Sequence, residues 1–207
     1  MTISRRALLA APALLAVPAA TPAHAMPPVD APAPGFTALD SNGASVSLAQ
    51  FAGKNVVLEW TNDGCPYVRK WYNASAMQDL QRQAAAMGAV WLSIISSPPG
   101  EQGYAEGKRA NELTAERKAA PAHVLLDPQG KVGRLYGATT TPQIFIINPK
   151  GVLVYAGGAD SIPSSRSEDL AKATPYVRIA LQAIADGAPI PHKVTRPYGC
   201  AVKYIGA

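Results

Sequence analysis

Val56-Val57-Leu58-Glu59-Trp60, then Thr61-Asn62-Asp63-Gly64, then Cys65-Pro66-Tyr67-Val68-Arg69-Lys70: this run decides the reading of the fold. Its first five residues are a short apolar stretch entered from Gly53-Lys54-Asn55, the pattern of a buried strand. The polar loop that follows ends at Cys65, where a helical pattern begins. Val68, Trp71, Tyr72, Ala76, Leu80 and Ala84 recur at helical spacing up to Gly88, which predicts one helix over that range. Pro66 falls in the first turn, where a missing N–H does no harm. Upstream, Phe36–Leu39 and Ser45–Leu48 flank the turn Asp40-Ser41-Asn42-Gly43 and predict a hairpin. Downstream come a strand at Val90–Ile95, a polar helix at Tyr104–Lys118, a strand at His123–Leu126 and a short helix near Val132–Tyr136. A second hairpin, Gln143–Ile147 and Val152–Tyr155, turns at Asn148-Pro149-Lys150-Gly151, and an amphipathic helix runs from Glu168 to Ala185 before Gly187. Strands separated by helices call for parallel pairing and the closing hairpin for an antiparallel edge. The expected class is therefore α/β, a mixed sheet with helices on both faces.

The ends of the chain read differently. Arg5-Arg6 precedes the apolar run Ala7–Val17, and Ala23-His24-Ala25 is a small-x-small cleavage pattern, so residues 1–25 are expected to be a signal peptide. The paired arginines suit a twin-arginine signal, with an ordinary secretory signal as the alternative. Pro12 interrupts a run already too short to cross a bilayer. The expected location is periplasmic or secreted, with no membrane attachment after cleavage. Residues 26–34 form a proline-rich lead-in, residues 35–187 the folded domain, and residues 188–207 an extended, flexible tail that carries Cys200. The formal charge of +5 includes Arg5 and Arg6, and no basic cluster interleaved with aromatics marks a nucleic-acid surface. His24, His123 and His192 make no ligand spacing with Cys65, so no metal is expected.

The two cysteines carry the chemistry. Cys65 sits where a strand gives way to a helix, and unpaired N–H groups with the helix dipole favour a thiolate there. It is expected to be reachable from outside the molecule. Glu59 lies inside an apolar strand, where burial raises a carboxyl pKa and suits it to proton transfer. Arg69 and Lys70 read as exposed helix residues. Cys200, in a compartment that favours disulfides, could pair with Cys65 catalytically, staple the tail permanently, or bond another chain.

The run around Cys65 resembles the active-site strand and helix of the thioredoxin superfamily. Thr141-Pro142-Gln143-Ile144-Phe145-Ile146-Ile147-Asn148 resembles its second signature, a cis proline ahead of a strand and against the reactive cysteine. Within that superfamily, Cys-Pro-Tyr-Val-Arg-Lys and the terminal Tyr198-Gly199-Cys200-Ala201-Val202-Lys203-Tyr204 are similar to the peroxiredoxin-like redoxins grouped as alkyl hydroperoxide reductase and thiol-specific antioxidant proteins. The resemblance implies a three-layer thioredoxin-like fold and a thiol oxidoreductase with Cys65 as nucleophile. Cys200 is implied as the possible resolving thiol, Glu59 as a buried acid, and Thr141, Pro142 and Asn62 as residues around the substrate. It implies no organic cofactor, and as partner a protein thiol or disulfide or a small hydroperoxide. Two departures stand out. Val68 replaces the second cysteine of Cys-x-x-Cys, and Leu58 and Asn62 replace the proline and hydroxyl residue of Pro-x-x-x-Thr/Ser-x-x-Cys. Three functions follow as expectations: thiol-disulfide exchange, hydroperoxide reduction, or partner binding without catalysis.

Overall fold

The computed structural model describes residues 25–206; the expected signal peptide lies almost wholly outside the described residues. Seven strands form one sheet in the order β2-β1-β5-β4-β3-β7-β8. The strands are β1 (Thr37–Asp40), β2 (Ser45–Ser47), β3 (Val56–Trp60), β4 (Val90–Ile95), β5 (His123–Leu126), β7 (Gln143–Ile147) and β8 (Leu153–Gly157). The short β6 (Thr140–Thr141) stands apart and pairs with β9 (Cys200–Ala201). β3, β4 and β5 run parallel, while β1 and β7 join them antiparallel. This is the mixed sheet that the alternation of strands and helices predicts.

Side-chain alternation along β3 divides the core. Val57 points into a layer with Trp71, Leu80, Trp91, Ile144, Tyr155 and Leu181, which α1 (Pro66–Asn73), α2 (Ala76–Ala86) and α5 (Tyr176–Ala185) cover. α3 (Gly107–Glu116) extends this layer by setting Ala110 against Ile95 and Val124. Leu58 and Trp60 point the other way, into a layer with Ile94, Tyr136 and Phe145 that α4 (Lys131–Leu135) closes. Each such large side chain, fully buried, contributes about 1.5–3 kcal/mol. No described helix is long and apolar enough to cross a membrane.

Two predicted helices are broken. The expected helix from Cys65 to Gly88 is α1 and α2, separated where Ser75 takes a left-handed backbone with φ 57°. The periodicity of the apolar residues is continuous through the break, so spacing alone does not reveal it. The expected helix at Glu168–Ala185 is a 3-10 turn at Ser167–Ala171 followed by α5. Pro175 explains the gap: it removes an N–H and disfavours helical backbone at Thr174.

The tail is the larger correction. It is not a flexible arm. Lys193–Thr195 lies along β8, with Ala156 N donating to Lys193 O at 2.9 Å and Thr195 N to Ala156 O at 3.1 Å. Further on, Thr140 pairs with Ala201 and Thr141 with Cys200. Val202 enters the second core layer, and the Tyr204 hydroxyl donates to Ala138 O at 2.7 Å. Gly130 and Gly133 make this possible, since a Cβ at either would meet the Tyr204 ring or hydroxyl within 2.5 Å. The lead-in is also fastened, Asp30 N and Ala33 N donating to Leu153 O and Gly151 O.

Gly199 lets the tail lie this close. Its φ is +140°, and a Cβ there would sit 1.9 Å from Thr141 O. Gly199→Ala is expected to lift β9 and cost about 1–3 kcal/mol. Hydrogen exchange at Cys200 and Ala201 should accelerate while the far-ultraviolet circular dichroism of the domain is retained.

Candidate active site

Cys65 is the N-cap of α1, with extended backbone (φ −81°, ψ 121°) and Pro66 in the first turn behind it. Its carbonyl accepts the Arg69 N–H at 3.0 Å, which starts the helix. The loop ahead is braced rather than free. The Asn62 side-chain carbonyl accepts from Gly64 N at 2.9 Å, and its amide donates to Gln102 O at 3.1 Å. The Gln102 amide in turn donates to Gly64 O at 3.2 Å. Asn62 therefore spends its polar atoms on loop geometry.

The Cys65 sulfur is wholly enclosed, with 0% exposure, so the expected open approach to it is not what the structure presents. Val68 and Trp71 of α1 and Ile144 of β7 share its buried cluster, and Cys200 of the tail packs against that cluster. The Cys65 thiol donates to Thr141 O at 3.2 Å, and Thr141 pairs directly with Cys200. The Thr141–Pro142 bond is cis. Cys65, Thr141, Pro142 and Cys200 thus meet in one place, from three distant parts of the chain. Both cysteines are free thiols, and Cys200 is partly exposed.

Electrostatics separate the two sulfurs. Burial acts to raise Cys65, but hydrogen bonds from the Cys200 thiol, from Thr141 and from the Val68 and Cys200 N–H groups outweigh it and hold the thiol below its ordinary range. Burial, and next the negative sulfur of Cys65, push Cys200 up to about 12. One proton shared by the pair therefore resides on Cys200.

Glu59 is fully buried on the same side of the sheet as α1 and α2. Four side chains surround it: Tyr72 donates at 2.8 Å, Trp91 at 2.8 Å, Ser93 at 3.0 Å and Gln81 at 3.3 Å. Burial outweighs these donors and raises its pKa above the ordinary carboxylate range. Among the described residues, none of its hydrogen bonds reaches either cysteine.

The sequence reading misses a third cluster. Lys70, expected to be solvated, is 1% exposed. Its ammonium donates to Asp160 Oδ2 at 3.0 Å, to the Tyr198 hydroxyl at 2.9 Å and to Ile162 O at 3.2 Å. The Tyr198 hydroxyl donates to Asp160 Oδ2 at 2.6 Å, and its ring meets Tyr67 edge-on with centroids 5.8 Å apart. Helical spacing puts Lys70 off the apolar stripe, and its partners lie 90 and 128 positions away, so no local pattern announces the cluster. Arg69 behaves as expected at the surface, donating to Asp63 O at 2.8 Å.

A cysteine at a helix start beside a cis proline, on a mixed sheet of this order, is the arrangement against which known proteins can be compared. The family model described as AhpC/TSA matches residues 29–156, more than half of the chain. The chain belongs to the AhpC/TSA family. Membership makes it a redoxin-type oxidoreductase of thioredoxin fold. No curated protein matches the sequence. Among solved structures, a hypothetical protein of Sinorhizobium meliloti is similar at TM-score 0.73 and 21% identity, covering 88% of this chain and 98% of that one. The peroxidoxin BcpB of Mycobacterium tuberculosis follows at TM-score 0.54 and 18% identity, with 77% and 99% covered. The thioredoxin domain of a thiol-disulfide oxidoreductase from Bacteroides vulgatus reaches 0.50 and 21%, with 70% and 96% covered. At such identities the likeness is one of fold. The redoxin fold serves both peroxide and disulfide chemistry, so the choice rests on this chain's own site.

Two outcomes test the electrostatics. Cys200→Ser keeps a donor beside Cys65 and should preserve its early titration in alkylation-rate profiles against pH, whereas Cys200→Val should move it about one unit higher. Glu59→Leu leaves its four donors unpaired and should cost about 3–5 kcal/mol in denaturant unfolding. Because the folded pKa of Glu59 is raised, the native state holds the proton longer than the unfolded chain. Its contribution to stability is present below the ordinary carboxylate pKa and is lost as pH rises through the folded value. Glu59→Gln should remove that decline.

Proposed function

We propose that the protein is an exported dithiol-disulfide oxidoreductase that exchanges an electron pair between Cys65 and Cys200 and a protein thiol or disulfide. One observation carries this reading: Cys65 at the N-terminus of α1 donates its thiol to Thr141 O at 3.2 Å, Thr141 is the residue paired with Cys200, and Cys200 packs against the buried cluster that holds Cys65. Two free thiols brought to one place in this way, one inclined to ionise and the other to keep its proton, can close to a disulfide with loss of two electrons and two protons. Val68 leaves no second cysteine on α1, and the tail supplies it instead. In this reading Cys65 holds the negative charge, Cys200 is its redox partner, and Thr141 with Pro142 forms the wall of the site. Asn62 shapes the loop ahead of Cys65. Glu59 holds α1, α2 and β4 around β3 and takes no proton from sulfur, since its donors are Tyr72, Gln81, Trp91 and Ser93. Export rests on Arg5-Arg6, the apolar run after it and Ala23-His24-Ala25.

Hydroperoxide reduction fits less well. The residue at position 62 offers an amide already engaged with Gln102 and Gly64, and the sulfur a peroxide would have to reach is enclosed.

The test uses protein purified without residues 1–25. Diamide treatment should yield a Cys65–Cys200 bond by peptide mass mapping, and the oxidised protein, freed of diamide, should oxidise one equivalent of a reduced dithiol peptide and return to the dithiol. Cys65→Ser and Cys200→Ser should each lower the rate of that oxidation by about 100-fold or more. No Cys65–Cys200 bond, or full oxidation of the peptide by both variants, defeats the proposal. Rapid sulfenic acid formation at Cys65 with hydrogen peroxide, outpacing disulfide exchange, favours the peroxidase. Unchanged partner capture by Cys65→Ser favours a binding module.

A further inference from the structure

We infer that Cys200, not Cys65, is the sulfur through which thiol partners exchange with the protein, and that Lys70, Asp160 and Tyr198 form the clamp that keeps it in that position. The inference rests on the dithiol reading above and assigns the two sulfurs opposite parts in it.

Thiol-disulfide exchange proceeds in line: the attacking thiolate, the sulfur attacked and the leaving sulfur are collinear. Attack on Cys65 would have to come from the side away from Cys200. That side is filled, because Cys65 is 0% exposed and sits in a buried cluster with Val68 and Trp71. Attack on Cys200 comes from outside. Cys200 is partly exposed, and a groove of about 550 Å³ is lined by Pro197, Tyr198 and Gly199, the three residues that lead up to Cys200, with Thr140 and Arg196 also on its walls. The leaving sulfur is then Cys65, seated at the start of α1 where charge on sulfur is best tolerated.

The steps balance. A partner thiolate attacks Cys200 Sγ; the bond between Cys200 and Cys65 breaks, and Cys65 departs as a thiolate. A second thiolate, from the same partner or another thiol molecule, attacks the partner sulfur of the mixed disulfide and releases Cys200 as a thiolate, which takes up a proton. The partner thiols are oxidised by two electrons to a disulfide, and the protein's disulfide is reduced to the dithiol. No further oxidant is needed once the protein is oxidised.

The clamp is what makes the two sulfurs inequivalent. Tyr198 stands two residues before Cys200. Its hydroxyl is bound by a buried ammonium from α1 and a buried carboxylate from the segment after β8, and its ring rests against Tyr67 of α1. The ammonium has all three of its protons engaged, and Asp160 Oδ1 accepts the Ile162 N–H at 2.7 Å. With the pairing of β9 on β6 beyond it, this holds the strap over Cys65 from both sides of Cys200. Tyr198 and Lys70 are positioning residues in this scheme; the hydrogen bonds of the Tyr198 hydroxyl and the Lys70 ammonium go to each other, to Asp160 and to Ile162 O, and none goes to a sulfur.

The experiment starts from protein with the Cys65–Cys200 bond formed. One equivalent of reduced glutathione is added, the mixture is quenched within milliseconds in acid with N-ethylmaleimide, and the adducts are mapped by mass. Glutathione should lie on Cys200 and maleimide on Cys65, exceeding the reverse by about tenfold or more. Tyr198→Phe keeps the ring and removes the hydroxyl; its adducts should shift at least about threefold towards glutathione on Cys65, with the circular dichroism of the domain unchanged. Glutathione chiefly on Cys65 in the wild-type protein overturns the inference and leaves the dithiol reading standing. An unshifted ratio in Tyr198→Phe overturns the clamp. Failure to form any Cys65–Cys200 bond at the outset removes both readings together.

Discussion

The pairing of Cys200–Ala201 with Thr140–Thr141 is the contact on which the rest of the site depends. It brings Cys200 to the residue that accepts the thiol proton of Cys65 at the start of α1, next to the cis Thr141–Pro142 bond. Two backbone pairs are a weak fastening by themselves. They hold because the chain on either side is anchored by unlike means: Tyr198 by a buried ion pair before the strand, Val202 and Tyr204 by apolar burial after it. Glycine at position 199 is the condition for this, since no side chain fits against the Thr141 carbonyl.

Beneath the strap, the Glu59 network keeps α1 in place. A carboxyl group without solvent is costly, and its four donors come from α1, α2 and β4. Displacing any of these elements would strip partners from a buried polar group. The network therefore acts as a register mark, fixing how far α1 projects beyond the edge of β3 and so where the Cys65 sulfur lies. Lys70 does the equivalent on the other side of α1, where its partners are Asp160 and the tail.

Much of this frame is legible in the residues. Short apolar runs at 56–60, 90–95 and 143–147 locate the central strands, since burial on both faces demands such runs. The position of Cys65 at a helix start follows from Gly64 before it and Pro66 after it. Glu59 in an apolar strand announces a buried acid, though not which donors meet it. What fails is long-range and sparse in pattern. Ser75 breaks a helix without disturbing its apolar spacing, and Pro175, a local signal, is masked by the amphipathic pattern around it. The prolines at 189, 191 and 197 suggest a loose tail, because composition reports the chain's own stiffness and says nothing of a groove prepared elsewhere by Gly130, Gly133 and Gly158. Lys70 reads as solvated for a similar reason: its side-chain partners Asp160 and Tyr198 come from segments that only the finished fold brings near.

As the last strand of the sheet, β8 would offer a row of unpaired amides and carbonyls to any neighbouring polypeptide. Instead, residues 30–33 cover one stretch of it from the front of the chain, Pro32 bridging Val152, and residues 193–195 cover another from the back, Val194 bridging Ala156. Lys193 ties the two segments together through Asp30 at 2.8 Å. Both ends of the polypeptide thus serve as selvedge, denying other chains a place to zip on and continue the weave.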